Sequence, residues 1–195
     1  MNVEKVKDFQ IENVACLHRE YIKSGFLSSL GLPFLALMYR SMSNSNNAFC
    51  VVAKDNNQII GFSSGATSVG AFYKDFLRRN FIKTSMILLP KIFNIQLVKK
   101  IFETLFYPAR REQNLPRTEL LSIVVDKNYR GKGIAQKLFE KIEEEFRSRN
   151  IKQFKVVVGQ KLVAACKFYE KMGGVFCAEV EVHKGEKSRV YVWDI

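Results

Sequence analysis

The chain has 195 residues, and 47% of them are hydrophobic, which is enough for one domain with a sizeable core. The formal net charge is +12, but no zinc-finger spacing or RNP-type aromatic pattern accompanies it, so we expect no nucleic-acid partner. No window approaches the roughly 20 apolar residues of a membrane-spanning helix, and Glu4 and Asp8 stand where a signal peptide needs apolar residues. We therefore expect one soluble, cytoplasmic domain over residues 1–195.

Four cysteines, at positions 16, 50, 166 and 177, show none of the close spacings that mark a metal site. Three of them lie in apolar runs of the sequence. We expect small buried side chains in a reducing compartment, without a disulfide framework and without a bound metal.

The first third of the chain predicts the element order β-α-α-β-β. A strand is expected over Val3–Phe9, and a helix over Ile11–Ile22, where apolar residues recur at helical spacing. After a loop rich in glycine and serine, a second helix is expected over Pro33–Met42, with proline in its first turn. Ala48–Ala53 and Gln58–Ser64 flank a polar turn, which is typical of an antiparallel hairpin.

The excess of positive charge is concentrated in Gly70–Arg111, which has nine basic residues against two acidic ones. Amphipathic spacing predicts two helices here, Phe72–Leu89 and Ile92–Tyr107, separated by Pro90. We interpret the segment as a helical hairpin, inserted at about 70–111, that covers one sheet edge and keeps its charges in water. The functional alternatives are a lid over an anionic acceptor, a membrane-surface face and a partner surface.

The most informative stretch begins with the apolar run Leu120–Val125, which predicts a buried strand. Helical spacing of apolar residues resumes at Ala135, after Arg130-Gly131-Lys132-Gly133. Two glycines and two cations before a helix predict a pyrophosphate site, because the exposed backbone N–H groups point one way. The alternative is an ordinary glycine turn. The residues that follow Gly133 exclude a Walker loop and a Rossmann fingerprint.

The last third of the chain predicts a strand, a helix and a hairpin. Lys152–Val158 is expected to be a buried strand, and Leu162–Met172 a helix that ends at two glycines. Val175–His183 and Ser188–Asp194 then pair around a short polar turn. The whole order predicts an α/β fold, a mixed sheet with helices on both faces.

Two motifs resemble the GNAT superfamily of N-acetyltransferases. Arg130, Gly133 and Ala135 match its acetyl-CoA-binding motif, Gln/Arg-x-x-Gly-x-Gly/Ala. Ala165–Gly173, which contains the pair Phe-Tyr, is similar to the downstream tyrosine segment of the family. The resemblance is firmest over Glu119–Gly174 and leaves the basic segment outside. It implies a GNAT-like fold, in which a central, mostly antiparallel sheet contains a splayed parallel pair.

The resemblance implies that acetyl-CoA is the cosubstrate. The central strand would pair with the pantetheine arm, and the glycine turn would hold the pyrophosphate. The residues assigned to the cofactor in this way are Ile123, Val124, Val125, Arg130, Gly131, Lys132, Gly133, Ile134 and Ala135. An amine would attack the thioester directly in a ternary complex, and a backbone N–H of Val124 or Val125 would bind the oxyanion.

The resemblance also assigns catalytic roles. It places the Tyr169 hydroxyl near the CoA sulfur, where it would protonate the leaving thiolate; the alternative is a buried tyrosine that only packs against the cofactor. Glu119, at the start of the central strand, is the candidate base, and a solvated strand-end carboxylate is the alternative. His18, His183 and Glu20 are further candidates for the base, and a water chain would also suffice.

Three departures from the family pattern bear on the acceptor. Leu162 stands where the family often has Asn, Gly174 interrupts the family's Gly-Phe, and Val157 replaces the Glu of ribosomal-protein-type members. The last departure counts against a protein N-terminus as the acceptor.

We expect the acceptor to be a small-molecule primary amine, such as an amino sugar, free or carried on a nucleotide. The alternatives are a protein lysine or N-terminal acetyltransferase, and a non-catalytic CoA-binding module that engages a membrane or a partner through its basic hairpin. The chain is expected to be a monomer or a homodimer.

Overall fold

The structure, a computed structural model, describes residues 1–23, 25–91, 115–183 and 186–195. Its strands are β1 Asn2–Lys5, β2 Ala48–Asp55, β3 Gln58–Ala66, β4 Glu119–Val125, β5 Gln153–Gly159, β6 Val175–His183 and β7 Glu186–Asp194. Its α-helices are α1 Ile11–Tyr21, α2 Phe26–Ser29, α3 Leu32–Ser43, α4 Val69–Arg79, α5 Phe81–Leu88, α6 Ile134–Arg147 and α7 Val163–Lys171.

The seven strands form one sheet in the order β1-β2-β3-β4-β5-β7-β6. Every neighbouring pair is antiparallel except β4 and β5, which are parallel. The predicted fold class, a mixed and mostly antiparallel sheet with one parallel pair, is therefore confirmed.

Helices cover both faces of the sheet, and each face has its own hydrophobic core. On one face, α1, α3 and α4 pack over the sheet around side chains such as Leu35 and Phe72. On the other face, α6 and α7 enclose a second cluster that includes Phe139 and Trp193. The predicted two-faced arrangement is confirmed, and it holds β4 and β5 rigidly between the two cores.

The helix predicted over Phe72–Leu89 is wrong in one respect, because two helices stand there. Helix α4 ends before Asn80 and α5 begins directly after it. The Asn80 side-chain amide donates to the Phe76 carbonyl at 3.0 Å and to Ser41 Oγ at 3.1 Å, so it ends α4 and ties the break to α3. The predicted helix Ile92–Tyr107 and the two arginines that follow it, at positions 110 and 111, lie outside the described residues.

The cysteine prediction is half right. Cys50 and Cys166 are buried, whereas Cys16 and Cys177 are exposed, and all four are free thiols. Across the described ranges, no three His, Cys, Asp or Glu side chains come together as a potential metal site. Among the helices described, none is long and apolar enough to cross a bilayer.

Candidate functional site

The central strand β4 contains an irregularity that decides which of its backbone groups face the parallel neighbour. Ser122 is in register with Ser64 of β3, but Leu120 is in register with Gly65, so Leu121 is an extra residue on β4. Such a bulge reverses the alternation of backbone directions along a strand. Before the bulge, the Thr118 carbonyl accepts from the Lys155 N–H on the β5 side, at 3.0 Å.

After the bulge, the even-numbered residues turn towards β3. The Asp126 N–H donates to the Ile60 carbonyl of β3 at 2.9 Å, and Val124 is in register with Phe62. Because alternate residues point to the same side, the N–H and C=O groups of Ile123 and Val125 point towards β5. Sequence reasoning left Val124 and Val125 as equal candidates for the oxyanion; the register turns only the Val125 amide to the β5 side.

The two parallel strands separate just where these groups emerge. The strands β4 and β5 share only two register positions, Glu119 with Lys155 and Leu120 with Val156. Beyond them, in the part of the chain that the structure describes, β4 has no partner on this side. The splay therefore leaves an open strand edge, which is the geometry that an extended amide-containing chain can join by backbone hydrogen bonds.

Beyond the end of β4, the glycine turn presents the N-terminus of α6. Gly131 and Gly133 have φ of 76° and 75°, a left-handed conformation that other residues adopt only with strain. Gly133 is the residue before the helix, and its carbonyl accepts from the Lys137 N–H at 3.1 Å. The amides of Ile134, Ala135 and Gln136 come too early in α6 to have an intrahelical acceptor.

These amides open onto a pocket of about 300 Å³. Its walls come from the end of β4, the glycine turn, the first turn of α6 and the last turn of α7; they include Val125, Gly131, Gly133, Ala135, Phe168 and Lys171. A helix N-terminus with orphaned amides and nearby cations attracts anions, phosphates above all. The pocket can therefore hold a phosphate group at the mouth of the splay.

The cations of the turn are partly committed to other contacts. Arg130 Nε donates to the Val125 carbonyl at 3.2 Å, and its guanidinium lies 5.3 Å from the ring centre of Tyr21 in α1. The Lys132 ammonium lies over the Tyr129 ring at 5.1 Å. Arg130 therefore braces the turn against β4 and α1, in addition to placing positive charge near the pocket.

Tyr169, the predicted proton donor, lies in α7 beside the pocket-lining Phe168. Its side chain is buried, and its ring packs 6.0 Å from that of Trp193 and 6.5 Å from that of Tyr191. Burial raises the pKa of the Tyr169 phenol well above its ordinary value, because a phenolate is poorly solvated there. The group therefore keeps its proton at neutral pH, as a general acid must.

Glu119, the predicted base, lies at the opposite end of β4, about 20 Å along the strand from the glycine turn. Its Oε2 is 3.7 Å from Lys155 Nζ, and both side chains are almost fully buried. The Lys155 ammonium also donates to the Pro116 carbonyl at 2.8 Å. Burial raises the pKa of the Tyr73 phenol in α4, and the negative charge of Glu119 raises that pKa further.

The other candidates for the base lie in different surroundings. His18 is buried between α1 and α3, where its Nδ1 lies 2.6 Å from the Tyr39 hydroxyl and its ring stacks on Phe62. Burial lowers the His18 pKa to about 4, so the imidazole is neutral at physiological pH. Glu20 is exposed on α1. The backbone of His183 ends β6, and its side chain lies outside what the structure describes.

Two site residues escaped the sequence reasoning. The Tyr21 hydroxyl accepts from the Lys127 N–H at 3.2 Å, so α1 holds the start of the turn from the far side. Lys171 lines the pocket and, with Arg130, is one of two cations in its lining. Lys171 stands two residues after Tyr169 in the sequence motif, so its position on the same helix could have been predicted. The contact of Tyr21 with Lys127 spans 106 residues, and no local pattern in the sequence predicts it.

In this structure a parallel strand pair separates next to a helix N-terminus that follows a glycine turn. This architecture is typical of an acyltransferase that uses a nucleotide-linked thioester. The model of the acetyltransferase (GNAT) family matches residues 18–174. The chain therefore belongs to the GNAT acetyltransferase family. No curated protein sequence matches the chain significantly.

Solved structures agree with this assignment at the level of the fold. A ribosomal-protein-alanine N-acetyltransferase from Brucella melitensis is 13% identical, with a TM-score of 0.65 over 100% of both chains. An N-acetyltransferase from Staphylococcus aureus Mu50 is 12% identical, with a TM-score of 0.64 over 99% of this chain and 97% of that one. A structure from Salmonella typhimurium, with its cofactor acetyl-CoA, is 10% identical, with a TM-score of 0.64 over 100% of this chain and 93% of that one.

Proposed function

We propose that this chain, as one domain, transfers the acetyl group of acetyl-CoA to a primary amine by direct attack in a ternary complex. The observation that carries the proposal is the continuity of the splay with the phosphate pocket. One extended ligand with an anionic end and an amide-containing arm fits both features. Acetyl-CoA has this form, and the Salmonella typhimurium relative contains it.

The donor would be held at two places. The N–H groups of the glycine turn and of the first turn of α6 would bind the pyrophosphate, with charge support from Lys132 and Lys171. The backbone groups of Ile123 and Val125 would pair with the pantetheine arm as an added strand. In this proposal the thioester would lie within the splay, between the two hydrophobic cores.

The chemical step would use few protein groups. Of the two β4 amides that face the splay, those of Ile123 and Val125, one would stabilise the oxyanion that forms when the amine attacks the thioester carbon, and the other would pair with the pantetheine arm. As the C–S bond breaks, the Tyr169 hydroxyl would give its proton to the thiolate. Glu119 is our proposed base for the amine proton, because an ammonium has no lone pair for attack. Holding both reactants in one site would supply much of the acceleration.

The acceptor would be a small-molecule amine, with an amino sugar, free or nucleotide-linked, as our first choice. Support comes from Val157, which lies where ribosomal-protein-type members carry their acid/base Glu. The fold likeness to a ribosomal-protein-alanine N-acetyltransferase does not outweigh this difference, because 13% identity speaks for the fold alone.

The test is an acetyl-CoA consumption assay against amino sugars, polyamines, amino acids and peptides. We expect turnover with an amine of the first group and a fall in kcat of about 10²-fold or more in Tyr169→Phe. Tyr191→Phe is the matched control, because Tyr191 is also buried in the α7 core and its hydroxyl donates to Glu170. Acetyl-CoA binding without turnover on any amine would instead indicate a non-catalytic module.

A second assay tests the proposed base. Glu119→Gln should lower kcat by about 10²-fold or more and leave acetyl-CoA affinity unchanged, because the carboxylate lies far from the phosphate pocket. The rate must be divided by the folded fraction, since Glu119 is also paired with Lys155. An unchanged rate per folded molecule would assign Glu119 a structural role only.

A further inference from the structure

The outer side of α5 exposes a group of large apolar side chains. Phe81, Ile82, Met86 and Leu89 are 69%, 73%, 70% and 61% exposed, and we call these four residues the α5 face. Single exposed apolar residues are common on protein surfaces, but four adjacent ones are not. The α5 face therefore indicates contact with something other than water.

The geometry of α5 explains why the side chains cannot turn inward. Ile82, Met86 and Leu89 are spaced by four and three residues, so they form one line along the helix. On the other side of the helix, Thr84 is buried, and Ile87 packs against the hydrophobic core that lies between α3 and the sheet. A helix that is apolar on both sides and anchored on one must present the second side to a partner.

Basic residues lie within and before the α5 face in the sequence. Lys83 lies within it, Arg79 stands two residues before Phe81, and Lys74 lies further back on α4. None of these three cations forms an ion pair within the described ranges; Arg78, by contrast, lies 3.7 Å from Asp75. Apolar side chains flanked by unpaired cations match the interface of an anionic bilayer, where each nearby cation contributes about 1 kcal/mol.

The apolar surface continues into a groove between α3 and α5. This groove is open and has a volume of about 550 Å³. Its apolar lining includes Leu32, Pro33, Met86 and Ile87, and its charged lining consists of Lys83 and the paired Glu12 and Arg40. The groove therefore extends the contact area beyond the helix itself, on the side where α3 begins.

We propose that the α5 face docks this protein on an anionic lipid surface. Helix α5 has eight residues, about 12 Å in length, so it lies in the plane of the interface with Ile82, Met86 and Leu89 towards the acyl chains. The cations beside it contact the lipid phosphates. This docking is independent of the acetyl-transfer chemistry and adds a location at which that chemistry is performed.

Vesicle flotation of the full chain tests the proposal. We expect binding to vesicles of phosphatidylcholine mixed with phosphatidylglycerol, little binding to phosphatidylcholine alone, and weaker binding as salt rises. Ile82→Asp/Met86→Asp should lower the partition coefficient about tenfold or more, and Arg79→Gln/Lys83→Gln should lower it and reduce its salt dependence. Phe9→Asp is the matched control, because Phe9 is 78% exposed in the short turn before α1; this variant should bind as the unaltered chain does.

Three outcomes would overturn the proposal. The first is that the unaltered chain does not float with the phosphatidylglycerol vesicles. The second is that Ile82→Asp/Met86→Asp lowers the urea midpoint of unfolding, which would mean that the face is packed within the folded protein. The third is that the same variant converts a dimer into a monomer in size-exclusion chromatography without changing flotation, which would assign the face to self-association.

Discussion

Lys155 and Glu119 form an ion pair across the only parallel strand pair in the part of the sheet that the structure describes. The Nζ–Oε2 distance is 3.7 Å, and the two side chains are 1% and 10% exposed. The residues are also register partners, and theirs is the first of the two positions at which β4 and β5 are joined, directly before Leu120 and Val156. Two buried opposite charges therefore lie at the joined end of the parallel pair, one residue before the strands separate.

Lys155→Met should therefore lower the free energy of unfolding by about 3–5 kcal/mol, because it leaves the Glu119 carboxylate buried without its cation. The double variant Glu119→Gln/Lys155→Met should lose less than the single variant, since both charges are gone. Urea unfolding at neutral pH measures both values. A single variant within about 0.5 kcal/mol of the unaltered chain would show that the pair has no structural role.

The buried His18 predicts a specific acid sensitivity. Its pKa is about 4 in the folded chain and about 6.5 when unfolded, so the unfolded state takes up a proton first as pH falls. Stability should decline between those two values, by up to about 1.4 kcal/mol per pH unit, and show no further dependence on His18 below the lower one.

His18→Asn tests this prediction, because its amide oxygen can still accept from the Tyr39 hydroxyl while the group no longer titrates. The fall in unfolding free energy from near pH 7 to near pH 5 should be smaller in His18→Asn than in the unaltered chain. His183→Asn serves as the control. Equal falls in His18→Asn and the unaltered chain would exclude a buried neutral His18.

Gly133→Asp should abolish measurable acetyl-CoA binding while the chain still folds. A side chain at this position has open space around it, but it requires left-handed backbone and brings a negative charge to the phosphate pocket. The backbone strain costs about 1–2 kcal/mol. Isothermal titration calorimetry measures the affinity directly.

Gly173→Asp is the matched control for that variant. Gly173 has φ of 86° and open space at its Cβ position, so it carries the same backbone strain, and it is not among the residues that line the pocket. We expect Gly173→Asp to lose stability but to bind acetyl-CoA within about threefold of the unaltered chain. Equal loss of affinity in both variants would mean that strain, not charge at the pocket, weakens binding.

A side chain at Gly174 should destabilise the folded chain. A Cβ there would lie 2.5 Å from the Trp193 ring and 2.9 Å from the Tyr169 carbonyl oxygen. Trp193 cannot retreat easily, since it stacks on Phe154 at 5.0 Å and its indole N–H donates to the Met172 carbonyl at 2.9 Å. Gly174→Ala should therefore cost about 1–3 kcal/mol of stability.

A double-mutant cycle with Trp193→Leu isolates this contact. Gly174→Ala should cost less in the Trp193→Leu background than alone, because the smaller side chain leaves room for the new methyl group. Chemical denaturation of the four chains supplies the coupling. Additive costs would place the strain at the Tyr169 carbonyl instead.

The glycine turn was predictable from the sequence because its residues have a local reason to be there. Gly131 and Gly133 both adopt positive φ, and α6 begins directly after them. The order of strands and helices was predictable for the same reason, since apolar periodicity is a local property. The break at Asn80 was missed because the sequences on both of its sides are helical, and one of the two contacts that end α4 there, the contact with Ser41 of α3, is distant in sequence.

Features that depend on residues distant in the chain could not be predicted from local sequence patterns. Lys155 lies in a strand whose other residues are mostly apolar. Its buried ammonium is explained only by two distant partners, the Glu119 carboxylate and the Pro116 carbonyl. The extra residue of β4 was equally hidden, because Leu120 and Leu121 are the same residue type and the alternation of inside and outside is lost in an apolar run. The choice between Val124 and Val125 therefore required the register.

The bulge at Leu121 decides which residues of β4 turn their backbone groups towards the splay. Deleting that one residue would restore a regular alternation and exchange the roles of neighbouring amides, so that those now offered to the splay would bond to β3 instead. Composition, hydrophobicity and length of the strand would hardly change. In this protein, the difference between a strand that only holds a sheet together and one that can also hold a ligand is a single inserted amino acid.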